Sequence, residues 1–242
     1  MKYIYTLFLL FSVNLFAVAS SSINISTTVL SEERIPVRVV EKNMNVLDIS
    51  NTPVRPDVKD IPNYHKYKQD ELQKLIDQLC ALSPAQRNVL YNSLNYVTKS
   101  GYILAGIAWR ESNFVQQTSY YGNAGKLQYK GSYGPYQALL DTVLKEHVEK
   151  NANPKIVRKL LLNNIGFANK IACRELDTWT KILQVKIKRK KRITNFDREL
   201  IASYNVGWRG TTSTMARDYA DDVLKKTNVI NGFFKVNKKI GI

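Results

Sequence analysis

From about Lys68 onward, apolar residues return at helical spacing and no convincing period-2 strand interrupts them. QDELQKLIDQLC sets Leu72, Leu75, Ile76 and Leu79 on one face. Ser83-Pro84-Ala85-Gln86 offers an N-cap, a proline at the first helical position and a Gln three residues on, a capping box that predicts a helix to about Val97. Asn153-Pro154 repeats the cap-and-proline start for a helix ending near Leu162, and a longer helix is expected from Asn164, with Ile165, Ala168, Ala172 and Leu176 in register. Further helices are expected from about 136 to 150, over RELIASYN behind a cap at Asp197, and from about 214 to 225. Stripes of this kind are buried by packing helix on helix, so the fold class is mainly α.

One stripe carries a charge. GYILAGIAWRESNF, residues 101–114, reads as an amphipathic helix in which Ile103, Ile107 and Glu111 fall at i, i+4 and i+8. Glu111 therefore stands where a leucine would be expected. A carboxylate buried without a partner raises its pKa and holds its proton, which is the state a general acid needs. Glu111 is also the only carboxylate between Asp77 and Asp141, so no acidic neighbour in sequence shares its work. The alternative is a helix-end Glu that reaches water or pairs with Arg110 or a distant Lys.

The N-terminus reads as an export signal. MKYIYTLFLLFSVNLFAVAS holds one Lys, an apolar run and Ala17-Val18-Ala19, an A-x-A pattern that predicts a signal peptide over 1–19 with cleavage before Ser20. A retained membrane anchor is the alternative; the run is short and is interrupted by Ser12 and Asn14. Residues 20–66 contain Pro36, Pro53, Pro56 and Pro62 and the run IPVRVV, and read as an extended N-terminal arm with a short strand at most. The rest, 67–242, is long enough for one domain with a sizeable core. The formal charge is +16, which points to an anionic partner, and export favours cell wall over nucleic acid. Cys80 and Cys173 are too far apart for a CxxC motif. In an oxidising compartment they are expected to form one disulfide, two buried thiols being the alternative. With only His65 and His147 in the chain, no metal and no cofactor are expected.

Three short stretches carry the chemistry: Glu111-Ser112, Gly134-Pro135-Tyr136-Gln137, and Ala202-Ser203-Tyr204-Asn205-Val206-Gly207. Each alone is weak. In this order, behind a signal peptide, they resemble the soluble lytic transglycosylase (SLT) family, lysozyme-like enzymes that cut peptidoglycan. Asn164-Ile165 heading a helix, and Tyr219 with Val223 in the last one, are similar to weaker positions of that family. The resemblance spans about residues 70–226. It implies a goose-type, lysozyme-like helical domain and a catalytic Glu111. Ser112 would orient Glu111 or a substrate group, and Gln137, Tyr204 and Asn205 would hold the sugar's N-acetyl group and the Glu. Tyr136 stands with Pro135 where the family usually has Met and Leu, and joins Tyr120, Tyr121, Tyr129 and Tyr133 as a candidate sugar-stacking face, ordinary loop packing being the alternative for each.

In the resembled family one Glu suffices for the reaction. It protonates the oxygen bridging N-acetylmuramic acid and N-acetylglucosamine as an oxocarbenium-like centre develops. It then acts as base on the muramoyl 6-hydroxyl, which closes a 1,6-anhydro ring without consuming water. A hydrolytic muramidase needs the same acid and is the nearest alternative. A non-catalytic wall-binding component of an envelope-spanning secretion or conjugation machine is another, though a pure binder has no use for a buried acid. The run KIKRKKR, residues 186–192, looks like an insertion before the Tyr-Asn motif. It reads as a solvated face, as a patch for anionic wall or membrane lipid, or, last in order behind a signal peptide, as a nucleic-acid contact.

Overall fold

Caps written into the sequence set most of the helix starts. The computed structural model describes residues 38–39, 53–120, 131–189, 193–207 and 210–239, all within the unit Pro36–Ile242. The expected signal peptide, Tyr121, Tyr129 and Lys190–Arg192 lie outside the described residues. Helix α1 spans Gln69–Cys80 and α2 spans Pro84–Asn92. The capping box forms as expected: Gln86 N–H donates to Ser83 Oγ at 3.3 Å, and Ser83 N–H donates to Gln86 Oε1 at 3.0 Å. Helix α3 is Ile103–Ser112, α5 Pro154–Asn163 and α6 Ile165–Lys188, the last two capped by Asn153 and Asn164. Helix α7 spans Phe196–Val206 and α8 spans Thr214–Lys239. The described chain is mainly helical, and its five strands are two residues each.

The departures from the expected elements have local causes. Helix α2 stops at Asn92 because Ser93–Asn95 tighten into a 3-10 turn and Tyr96–Val97 become a strand, β2. That strand pairs antiparallel with β1, Arg38–Val39, so the arm does contribute a strand. The helix expected from 136 begins only at Leu140. Before it, β3 (Ser119–Tyr120), β4 (Ser132–Tyr133) and β5 (Ala138–Leu139) form a small antiparallel sheet, with Ser119 opposite Tyr133 and Tyr133 opposite Ala138. Helix α4, Leu140–Thr142, then widens into a π-helix over Val143–His147. Asp197 is not a cap. Asn195 caps α7, while Asp197 is buried and accepts from Ser100 N–H at 2.7 Å and Thr98 Oγ1 at 2.9 Å.

Helix α3 is the centre of the core. Ile103, Leu104, Ala105, Ile107 and Ala108 are fully buried, so the helix is enclosed on every side until its last turn. Its closest neighbour is α8, which reaches α3 at Gly106: a Cβ there would stand 2.2 Å from Thr227 Oγ1 and 2.9 Å from the Val223 carbonyl. Helix α8 also packs on α7, which in turn packs on α6. Residues 53–66, read from sequence as part of the arm, belong to this core. Ile61 is buried, and Asn237 of α8 clips the Val54 backbone through both amide groups, at 2.9 and 3.0 Å.

Candidate functional site

Glu111 lies in the last turn of α3, where the helix leaves the core. The helix is stopped by Asn113 and Phe114, both left-handed (φ 53° and 62°), whose N–H groups return to the carbonyls of Trp109 (3.0 Å) and Ala108 (3.3 Å). Phe114 is fully buried beside the Trp109 ring, and this burial holds a conformation that a bulky residue seldom adopts. The stop leaves Glu111 half-buried, facing α8. There Tyr219 Oη donates to Glu111 Oε1 at 2.5 Å. Burial pushes the Glu111 carboxyl above the usual carboxylate range; the Tyr219 hydrogen bond and the nearby Arg110 guanidinium pull it back only in part. Arg110 lies over the Tyr219 ring, 5.8 Å from its centroid, and its Nε is 3.2 Å from Asp222.

The second motif folds as a tight turn, not as a helix start. Gly134 (φ 78°) has no room for a side chain, since a Cβ would come within 2.4 Å of the Leu161 carbonyl. Gln137 is also left-handed (φ 50°), and its N–H and Nε2 both donate to the Gly134 carbonyl, at 3.1 and 2.9 Å. Ser112 joins this turn to the end of α3: its hydroxyl lies 2.8 Å from the Pro135 carbonyl and 3.0 Å from that of Ala108, sharing one proton between them. Ser112 thus holds backbone; no hydrogen bond to Glu111 is formed by it. Tyr204 Oη donates to the Tyr136 carbonyl at 2.8 Å, so the third motif is fastened to the second. Burial raises the Tyr204 and Tyr219 hydroxyls well above the usual tyrosine value, and both stay protonated as donors.

A cleft of about 340 Å³ opens beside this junction, within the range of small-molecule sites (~300–1,000 Å³). Gln137, Tyr204 and Asn205 line it. Thr142 of α4 and Glu175 and Trp179 of α6 line it too. Glu111 is not among the lining residues; Tyr204 is the link, since the charges of both Glu111 and Glu175 act on its hydroxyl.

Tyr136 is a correction. Its ring is buried, and its hydroxyl lies 2.8 Å from Ser93 Oγ and 3.0 Å from Asn169 Nδ2, so it offers no face to a substrate. Tyr133 is buried as well, and of the described candidates for stacking only Tyr120 is exposed. The disulfide is a second correction: Cys80 and Cys173 are both free. Cys80 ends α1 among Arg55, Asp77 and Arg87, whereas Cys173 sits on α6 against Asn95 and Asn169, its thiol pushed up to about 12 mainly by burial. In the described part of the basic run, Lys186–Lys188 end α6 and Arg189 is its C-cap, and none of these residues lines the cleft.

Glu175 is the residue that sequence reasoning passed over. It lies 64 positions from Glu111, and the helical register drew attention to Ala168, Ala172 and Leu176. The i, i+4 pair Glu175 and Trp179 on the flanking stripe was the available signal. Trp179 Nε1 donates to Glu175 Oε1 at 2.8 Å, and the buried His147 places Nε2 2.9 Å from Glu175 Oε2. Glu146, His147 and Glu175 could together offer ligand atoms to a metal ion, all within 4.8 Å of one another, although the last two already engage each other.

Comparison of the chain with models of known families, with characterised proteins and with solved structures gives no match in any of the three.

Proposed function

We propose that this protein is an exported peptidoglycan lytic transglycosylase that cleaves the bond between N-acetylmuramic acid and N-acetylglucosamine with Glu111 as its acid. The observation that carries the reading is the setting of Glu111: a carboxyl at the end of a buried helix, raised by burial, held by Tyr219 and tied through Ser112, the 134–137 turn and Tyr204 to an adjoining cleft. A carboxyl raised in this way holds its proton to higher pH than an exposed one, which is what a general acid needs. Gln137, Tyr204 and Asn205 would orient the glycan, and the 6-hydroxyl, next to the reacting carbon, would outcompete water through effective concentration. The reading places the protein in the periplasm or outside the cell. Its partners there would be glycan strands, an anionic envelope surface met through Lys186–Arg192, and an envelope-spanning secretion or conjugation machine.

Mass spectrometry of the fragments released from purified peptidoglycan tests the reading. The wild-type protein should release 1,6-anhydromuramoyl ends, and Glu111→Gln should lower turnover at least ~10²-fold while leaving the fold and glycan binding in place. Reducing ends in the wild-type digest would make the protein a hydrolytic muramidase. A folded, fully active Glu111→Gln protein would remove the reading altogether.

A further inference from the structure

The cleft holds a carboxylate that the single-Glu reaction does not use. Glu175 projects from the middle of α6 into the same space as Gln137, Thr142, Tyr204 and Asn205. Its side chain is 20% exposed, so it meets both the cleft and the protein interior. Both of its oxygens are held: Oε1 by the Trp179 indole N–H at 2.8 Å and Oε2 by the buried His147 Nε2 at 2.9 Å. His147 is itself fixed. Its ring is 5% exposed, and its carbonyl accepts from Arg174 Nη1 at 2.8 Å. A carboxylate that merely solvates a surface needs none of this. One whose charge must stand in a fixed direction, with little reorganisation when positive charge develops nearby, needs all of it.

We propose that Glu175, which lines the cleft adjoining Glu111, is a second functional carboxylate of this protein, one that faces the reacting sugar and stabilises the positive charge at its anomeric carbon. The proposal rests on the reading of the protein as a glycan-cleaving enzyme and adds a residue to it. Glu111 gives its proton to the bridging oxygen, and the anomeric C–O bond breaks with its electron pair going to that oxygen. The muramoyl 6-hydroxyl then bonds to the anomeric carbon and returns its proton to Glu111. Glu175 forms and breaks no bond. Its field acts in the interval when the carbon is positive, and Tyr204, whose hydroxyl both carboxylates influence, is the side chain that links them. Trp179 and His147 are positioning residues for Glu175.

The test compares wild type, Glu111→Gln and Glu175→Gln on short soluble peptidoglycan glycans. Gln at 175 keeps the size of the side chain and can still accept from the Trp179 indole, so the fold should survive, as a melting curve will show. The expected result is a fall in kcat of about 10²-fold with KM little changed, because the charge matters in the transition state and not in the ground state. An unchanged kcat, or a loss confined to KM, overturns the proposal while Glu111→Gln still reports on the function itself. Should Glu175→Gln fail to fold, the Glu111→Gln protein serves instead, with Glu175 the carboxylate that lines the cleft among the described residues. It should bind a protonated iminosugar analogue of N-acetylmuramic acid at least tenfold more tightly than the uncharged sugar. Equal affinity overturns the proposal.

Discussion

Glu111 is pulled in two directions by its neighbours, and the balance can be shifted. Burial raises its carboxyl, while the Tyr219 hydroxyl stabilises the ionised form and lowers it. Tyr219→Phe removes only the second influence, so the carboxyl should rise further. A general acid works below its pKa and fails as pH rises through it. The alkaline limb of the rate profile should therefore move to higher pH in Tyr219→Phe, with the optimum rate changed by less than about tenfold. A limb that stays in place or moves to lower pH would show that Glu111 does not set it. The same scale explains what the sequence could and could not reveal. Glu111 was legible because a charge in an apolar stripe is visible from spacing alone. Tyr136 and Tyr204 were not distinguishable: both are tyrosines in motifs, yet one ring is buried and the other lines the cleft. The difference comes from the left-handed backbone at Gly134 and Gln137, which no periodicity announces.

At the scale of elements, the crossing of α3 and α8 matters most. Tyr219, Val223 and Thr227 follow one another by single turns along α8, and they meet α3 from Glu111 down to Gly106. The contact at Gly106 includes backbone, which cannot swing aside. Gly106→Ala should destabilise the protein by about 1–3 kcal/mol, as overpacking does, despite the better helix propensity of alanine. Urea unfolding measures this, and a stabilised variant would show that the crossing is looser than described. Helix α8 also shows why an element's end can be misread. The sequence suggests a helix to about 225, but Val229, Ile230, Phe233 and Phe234 continue a buried face, and the helix runs to Lys239. Asn231-Gly232 within it looks like a break. Gly232 is there for packing, since a Cβ would stand 2.6 Å from Ile61 Cδ1 and 3.0 Å from the Asp60 carbonyl. Such a contact, between residues far apart in the chain, has no local sequence signal.

Taken whole, the molecule is a cationic body, with a formal charge of +16 and exposed Lys188 and Arg189 at the end of α6. None of the described basic run lines the cleft, so charge and chemistry should separate. Replacing the basic residues of 186–192 with Gln should weaken binding to whole wall severalfold at low salt, and the difference should shrink as salt is raised. Cutting of short soluble glycans should stay within about twofold of wild type, because charge acts on encounter and retention. Equal loss on both substrates would place the run in the active cleft. Helical class and core were legible at this scale, because repeated apolar stripes admit few arrangements. The inclusion of residues 53–66 in the core was not, since four prolines and a lack of periodicity in 20–66 conceal the buried Pro56 and Ile61 and the clip to Asn237.

The turn at 134–137 is rooted in the interior by the Tyr136 ring and held at the surface by Ser112 and Tyr204. Connecting segments usually open on their own, at little cost. This one has no independent way to open, because lifting it would pull a buried phenol off Ser93 and Asn169. The amide protons of Gly134 and Gln137, bonded to the carbonyls of Thr118 and Gly134, should therefore exchange with deuterated water as slowly as those of α3. If they do, the residues of this turn have no separate melting event. The site would then stay assembled until the domain unfolds.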